Sequence, residues 1–259
     1  MAIRVGVFGA GGRMGTTVCQ AVCDDPELEL VAAVDPHYSG IDLRTVTGVD
    51  CELRIAGDPA IFGQAGVQVA VDFTQREACC DNLAWLAEHG IHAVVGTTGF
   101  TDQDMDRIRE EFTRSNCVIA PNFAIGAVLM MHFAAIAAPF FESAEVVELH
   151  HDAKVDAPSG TAMMTVQRMA DASADWSPDP TTEEILPGAR GGEGPAGIHV
   201  HSLRLRGLVA HQEVLLGTTG QTLTIRHDSI DRTSFMPGVV LAVKQVAGCL
   251  CLLYTSRCV

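Results

Sequence analysis

Positive charge is scarce in this chain: 17 Lys and Arg stand against 32 Asp and Glu, a formal net charge of -15 at pH 7. A surface of that sign repels polyanions, so neither nucleic acid nor an anionic membrane is expected as a partner, and an anionic ligand needs a local basic pocket. Uninterrupted apolar runs of about eighteen residues, the length a membrane helix requires, are missing as well. The most apolar stretch, Ile125 to Phe141, carries His132 and Pro139 and reads as a buried helix. The opening MAIRVGVFGAGG has no charged leader with an apolar core and cleavage site, so the expectation is a soluble, cytoplasmic protein. Nine cysteines form no disulfide-like frame; the closest pairs, Cys79-Cys80 and Cys249-x-Cys251, lack zinc or redox spacing. Repeats and low-complexity tracts are absent too.

What is present is apolar material for two modest cores, 47% hydrophobic content over 259 residues. The first half alternates short β-branched runs with helical stretches, the pattern of a parallel sheet covered on both faces. Strands are predicted at Ile3 to Phe8, Leu28 to Val34, Val67 to Phe73, Ala93 to Val95 and Val118 to Ile119. Helices are predicted after Asp58-Pro59, over Gln75 to His89 with a stop at Gly90, and from Thr101, where Thr101-x-x-Asp104 approaches a capping box. After Asn122 the order changes to an apolar helix, Gly126 to Ala138, a strand, Ala144 to Leu149, and a helix from Ser159. Three further strands, Ile198 to Leu205, Gln212 to Leu216 and Thr222 to His227, are joined by Gly-containing turns that suit antiparallel neighbours. Ser177 to Gly197 reads as an exposed loop, and Asp231 to Val246 as a helix returning to the first domain. The fold class is therefore α/β, a Rossmann-type doubly wound sheet with a second α+β domain. Residues 1–122 and 232–259 are assigned to the nucleotide-binding domain and 123–231 to substrate binding and oligomerisation.

Gly9-Ala10-Gly11-Gly12-Arg13-Met14-Gly15 follows an apolar strand and opens a helix. In that context glycines let the backbone approach a pyrophosphate, whose charge meets the helix N-terminal amides. The same glycines would also serve a plain strand-to-helix turn. Asp35 ends the second strand, where a carboxylate accepts from ribose hydroxyls and favours NAD; it could equally be a turn residue. Gly96-Thr97-Thr98 and Ala120-Pro121-Asn122-Phe123 end two other strands, where ligands of open α/β sheets bind.

The densest polar cluster is ELHHDAKVDAPSGT, Glu148 to Thr161. On extended backbone His150 and His151 point to opposite sides, which implies one proton donor and one binding group. Lys154 adds charge, and Ser159-Gly160-Thr161 opens a helix whose amides suit a carboxylate or phosphate. The two histidines lack the i, i+4 spacing of a helical zinc site, so no metal is expected. Ser159 could instead be only a cap, with the histidines ordinary surface residues.

With these stretches, VDFT, GTTGF, APNFAIGA, GLVAHQEVLLG and TLTIRHDSIDRTSF, the chain resembles the 4-hydroxy-tetrahydrodipicolinate reductase family of the diaminopimelate and lysine pathway. The resemblance implies hydride transfer from NADH or NADPH to a cyclic imine bearing two carboxylates. It implies His150 as proton donor or acceptor and Lys154 as proton donor, with His151, Ser159, Gly160 and Thr161 at the substrate. It assigns the cofactor to Gly9 through Met14, Asp35, Gly96 through Thr98 and Ala120 through Phe123. A homotetramer joined through second-domain sheets is implied as well. Pro36 stands where many relatives carry Arg, which favours NADH, with Arg13 near enough to keep NADPH open. The ending GCLCLLYTSRCV departs from the family's closing strand and turn, and the expectation is a truncated or wrongly translated terminus that leaves a sheet edge unfinished. Two other functions fit the residues alone: a dehydrogenase acting on an amino acid such as aspartate, and a dinucleotide sensor without chemistry.

Overall fold

A computed structural model describes residues 1–248. The question raised by the terminal GCLCLLYTSRCV falls almost wholly outside them. Two compact units emerge, Met1–Phe123 with the segment that starts at Phe235, and Ala124–Ser234.

The first unit runs β1 (Ile3–Phe8), α1 (Arg13–Asp24), β2 (Leu28–Val34), α2 (Leu43–Thr47), α3 (Ala60–Gln64), β3 (Val69–Asp72), α4 (Arg76–His89), β4 (His92–Val95), α5 (Asp102–Glu111) and β5 (Cys117–Ile119). The strands form one parallel sheet in the order β2-β1-β3-β4-β5. Its period-2 alternation divides the core. Val5, Val7, Val69, Val71 and Val94 pack on one side with Val18, Cys19 and Val22 of α1. Phe8, Ala70, Ala93 and Val95 face the other side, against Leu83 and Leu86 of α4 and Ile108 of α5. Each such fully buried aliphatic side chain contributes roughly 1.5–3 kcal/mol over exposure, more than the cap that starts a helix. The caps nonetheless set boundaries: Thr101 and Asp104 form a reciprocal capping box on α5, and α4 ends on left-handed Gly90.

Short elements between Asp35 and Asp58 escaped the sequence reading. Asp42 caps α2 by accepting from the Arg44 amide at 2.9 Å, and Leu43, Val49 and Ile55 fold inward. They are too brief for a periodic signal.

The second unit contains α6 (Ile125–Ala137), β6 (Ser143–His150), α7 (Gly160–Ala172), β7 (Gly192–Glu193), β8 (His199–Arg204), β9 (Ala210–Thr218) and β10 (Gln221–Ser229). Its mixed sheet runs β10-β9-β6-β8-β7. Met130 and Ala134 of α6 and Ala162, Val166 and Met169 of α7 cover one face through Val146, Val200, Val214 and Leu216. One expectation fails here. β8 and β9 are not neighbours; β6 lies between them, parallel to β8 and antiparallel to β9. A central β6, with Val146 and Glu148 buried, has its backbone groups paired on both edges, which a simple β8-β9 hairpin would forfeit. Residues 205–209 carry the chain past the end of β6, where the Leu205 amide bonds the His150 carbonyl at 3.0 Å. The loop expected over Ser177–Gly197 is largely exposed but includes β7, and Arg190 moors it to Glu145 at 2.6 Å.

After the second unit the chain forms α8 (Met236–Gln245), with Pro237 in its first turn, where a missing amide is harmless. Met236, Val239 and Val243 join the first core, and Lys244 bonds Asp25 at 2.9 Å.

Candidate active site

In the first unit the predicted nucleotide residues share the carboxyl edge of one sheet: Gly9–Met14 after β1, Asp35 after β2, Gly96–Thr98 after β4, Ala120–Phe123 after β5. Gly9 adopts φ +63, and its carbonyl folds over the start of α1, bonding the Gly12 amide at 2.9 Å. A Cβ on Gly15 would stand 2.0 Å from that carbonyl oxygen, so only glycine permits the approach. Gly12 caps α1 with no side-chain hydrogen bond, and the first turn has no acidic residue. The loop thus presents backbone amides and a helix N-terminus without a competing carboxylate in that turn, which fits a pyrophosphate.

Several residues are already employed. Asp35 is 5% exposed; its Oδ2 accepts from the Gly11 amide at 3.0 Å and its Oδ1 from the His37 amide at 3.1 Å. It therefore does serve the strand-end turn. Thr97 is buried and donates to the Thr74 carbonyl at 2.9 Å, whereas Thr98 is exposed. Gly96 is required by the ring of Phe73, 1.9 Å from where its Cβ would be, and Phe73 in turn packs on Phe123 at 5.8 Å between centroids.

In the second unit the polar cluster is organised by a residue to which sequence reading gave no role. Glu148 is fully buried, beneath the end of β6. Its Oε2 is 2.5 Å from His150 Nδ1 and 2.9 Å from Arg204 Nη1, while Oε1 accepts from Arg204 Nη2 at 2.8 Å and from the Ser159 amide at 3.2 Å. Arg204 also donates to the Asp156 carbonyl at 2.6 Å. One carboxylate thus binds β6, β8 and the start of α7 together, and a bidentate guanidinium pair is what a buried anion needs. Glu148 and His150 are two apart on one strand, so their shared face was readable. Arg204 was hidden, since it lies opposite His150 only once β8 pairs with β6.

Desolvation is the largest influence on Glu148 and raises its pKa, but hydrogen bonds from Arg204, Ser202 and His150 outweigh it and leave the carboxyl below its ordinary range. His150 is held below the usual histidine value, chiefly by burial; Glu148 opposes this, and the charges of Lys154 and Arg204 add to it. Lys154 Nζ lies 2.7 and 2.8 Å from the two Asp156 oxygens, and that pairing lowers the Asp156 pKa. Ser159 caps α7 by accepting from the Ala162 amide at 3.2 Å, so the capping role is real. Gly160 opens the helix with open space about its α-carbon. His151 is exposed, and the structure does not bring its ring into the Glu148 network. Among the described residues no group of three or more His, Cys, Asp or Glu could hold a metal ion.

A parallel nucleotide-type sheet, followed in the chain by a mixed-sheet unit with a buried carboxylate-imidazole pair, has the make-up of a two-domain nucleotide-dependent enzyme. Residues 3–123 match the model for the dihydrodipicolinate reductase N-terminus, and residues 126–256 match its C-terminus. The chain belongs to the dihydrodipicolinate reductase family. It is 53% identical over 251 residues to the 4-hydroxy-tetrahydrodipicolinate reductase of Cutibacterium acnes, with 94% of this chain and 93% of that protein covered. Its similarity to the enzyme of the same name from Mycobacterium sp. (strain KMS) is 53% over 250 residues, covering 95% and 94%. Among solved structures it resembles the dipicolinate-bound dihydrodipicolinate reductase of Paenisporosarcina sp. TG-14, with a TM-score of 0.86, 38% identity and 98% of each chain covered.

Proposed function

We propose that this chain reduces 4-hydroxy-tetrahydrodipicolinate to tetrahydrodipicolinate, the reductase step of diaminopimelate and lysine biosynthesis. The balance is one hydride and one proton taken up and one water released. The observation that carries the reading is the Glu148–His150 pair at the start of α7, a proton-exchanging imidazole next to a helix N-terminus.

When bound, reduced nicotinamide supplies the hydride. In the Gly9 to Met14 loop, the Arg13 and Met14 amides at the start of α1 would hold its pyrophosphate, with Gly11 and Gly12 letting the backbone approach it. Asp35 would hold its adenosine ribose, and Gly96 through Thr98 with Ala120 through Phe123 the nicotinamide half. NADH is the favoured form, because the Asp35 carboxylate repels a 2′-phosphate and Pro36 offers no compensating charge; exposed Arg13 leaves NADPH usable. In the substrate unit, Gly160 and Thr161 at the helix start receive one carboxylate, with Ser159 holding that helix start. Lys154 receives negative charge by exchanging Asp156 for the substrate and can donate a proton, and His151 supplies a second binding group. With Nδ1 taken by Glu148, His150 exchanges its proton through Nε2.

The second unit supports assembly as a homotetramer. Its sheet has α6 and α7 on one face only, while Val147 and Leu149 of β6 and Leu215 of β9, 38% exposed, point to the other. Sedimentation should show four copies together and a smaller species for Leu215→Lys. Within the described residues no helix is long and apolar enough to cross a membrane. Free thiols at Cys19, Cys23 and Cys117 agree with a reducing, cytoplasmic setting.

The deciding assay follows nicotinamide absorbance with freshly generated 4-hydroxy-tetrahydrodipicolinate, NADH against NADPH. Turnover with a higher kcat/KM for NADH is expected. Folded protein that binds NADH yet reduces nothing, or that instead oxidises aspartate, would overturn the assignment.

A further inference from the structure

His150, Arg204 and the Ser159 amide occupy both oxygens of Glu148, and the geometry of those bonds fixes the state of the imidazole beside it. A carboxylate held below its ordinary pKa has no proton to give, so the 2.5 Å contact requires His150 Nδ1 to be the donor. Both Glu148 oxygens are clamped by Arg204, and Oε1 is held as well by the Ser159 amide. The carboxylate therefore has little freedom to turn away.

We propose that Glu148 is a positioning residue for proton transfer: it accepts from His150 Nδ1, fixes the tautomer that leaves Nε2 for the substrate, and is itself aimed by Arg204. This role rests on His150 being the proton-exchanging group. Charged groups face the imidazole from its own strand, the following loop and β8. Glu148 lies on its own strand, Lys154 and Asp156 on the following loop, and Arg204 opposite on β8; on the β9 side its register partner is uncharged Ala210, followed by His211 bonded to Asp228 at 2.6 Å. Of these, Glu148 is the one that bonds the ring, and its charge favours the imidazolium that donates.

The first test reads the wild-type protein. Nitrogen chemical shifts of the His150 ring, assigned by its loss in His150→Gln, should report Nδ1–H with Nε2 bare above the titration; an Nε2–H ring overturns the proposal. The second test is Glu148→Gln. Its kcat should fall on the order of ten- to a hundredfold, the scale on which carboxylates orienting a functional histidine act in metal sites. The alkaline limb of the pH profile should move to lower pH, and NADH affinity should not change. A Glu148→Gln protein with the wild-type tautomer and pH profile overturns the role, whatever its stability. Should that variant fail to fold, Glu148→Gln/Arg204→Gln removes the buried carboxylate together with the guanidinium that neutralises it and is read the same way. Full activity in His150→Gln would instead sink the underlying site assignment, a result separate from the tautomer measurement.

Discussion

The two candidate regions of this chain are specified by different physics. The proposed nucleotide edge is a matter of backbone: carbonyls and amides within a few residues of one another, with glycine where a Cβ would collide. The proposed substrate edge is a matter of charge, where a buried anion is made tolerable by partners recruited from 11 and 56 residues away. Local backbone geometry tolerates no change of shape. A charge network tolerates shape better than it tolerates loss of a partner.

The largest effect expected of that contrast is at Gly15. Placing a methyl group 2.0 Å from the Gly9 oxygen should destabilise the first unit by roughly 3 kcal/mol or more and abolish NADH binding. Gly12→Ala, 3.2 Å from the same oxygen, should be milder. Thermal unfolding with an NADH titration ranks them, and equal tolerance of both would break the backbone half of the comparison.

The charge half is read by pH. Burial keeps the His150 pKa below the usual histidine value, so with His150 as the proposed proton donor kcat/KM should fall as pH rises through that lowered value. A bound dicarboxylate favours the imidazolium, so the same limb in kcat should lie at higher pH. Coincident limbs would mean that the substrate's charges do not reach His150.

A smaller effect separates the units by acid. Glu148 has a depressed folded pKa, so its stabilisation is present above the ordinary glutamate value of about 4.3 and is lost as pH falls through the lower folded value. Glu145, Asp156, Asp179 and Asp228 of the same unit are depressed too, against Asp25 and Asp104 in the other. Trp85 reports the first unit and Trp176 the second. In single-tryptophan variants the urea midpoint seen by Trp176 should fall further between pH 6 and pH 3 than that seen by Trp85; the reverse order would contradict the division.

Least of all should come from Arg206→Ala. Its side chain is 93% exposed on a 2.9 Å bond to Asp152, and a change in stability within about 0.5 kcal/mol is expected by urea titration.

What could be read in the sequence follows the same line. The β1 loop, the Thr101 box and the Ser159 cap each place cause and consequence within a few residues, and β1 and β2 formed at the bounds their patterns set. Arg204 could not be found that way. Reading the Gly-containing turns as hairpins put β8 beside β9, and only its parallel pairing with β6 sets Arg204 opposite His150. Glu148 stood in view within ELHH, but a carboxylate two residues from a histidine becomes a partner only when both are buried on one face. The turn role of Asp35 was legible, but its bond from the Gly11 amide and the use made of Thr97 were not, because they depend on backbone groups brought up by neighbouring turns.

The proposed division, nucleotide in the first unit and proton in the second, is put to trial by measuring NADH affinity and turnover of 4-hydroxy-tetrahydrodipicolinate on the same preparations of wild type and His150→Gln. The expected result is a kcat lower by about 10²–10⁴-fold, the usual worth of a positioned acid, with an unchanged Kd for NADH. Retained turnover, or affinity and turnover falling together, would contradict it.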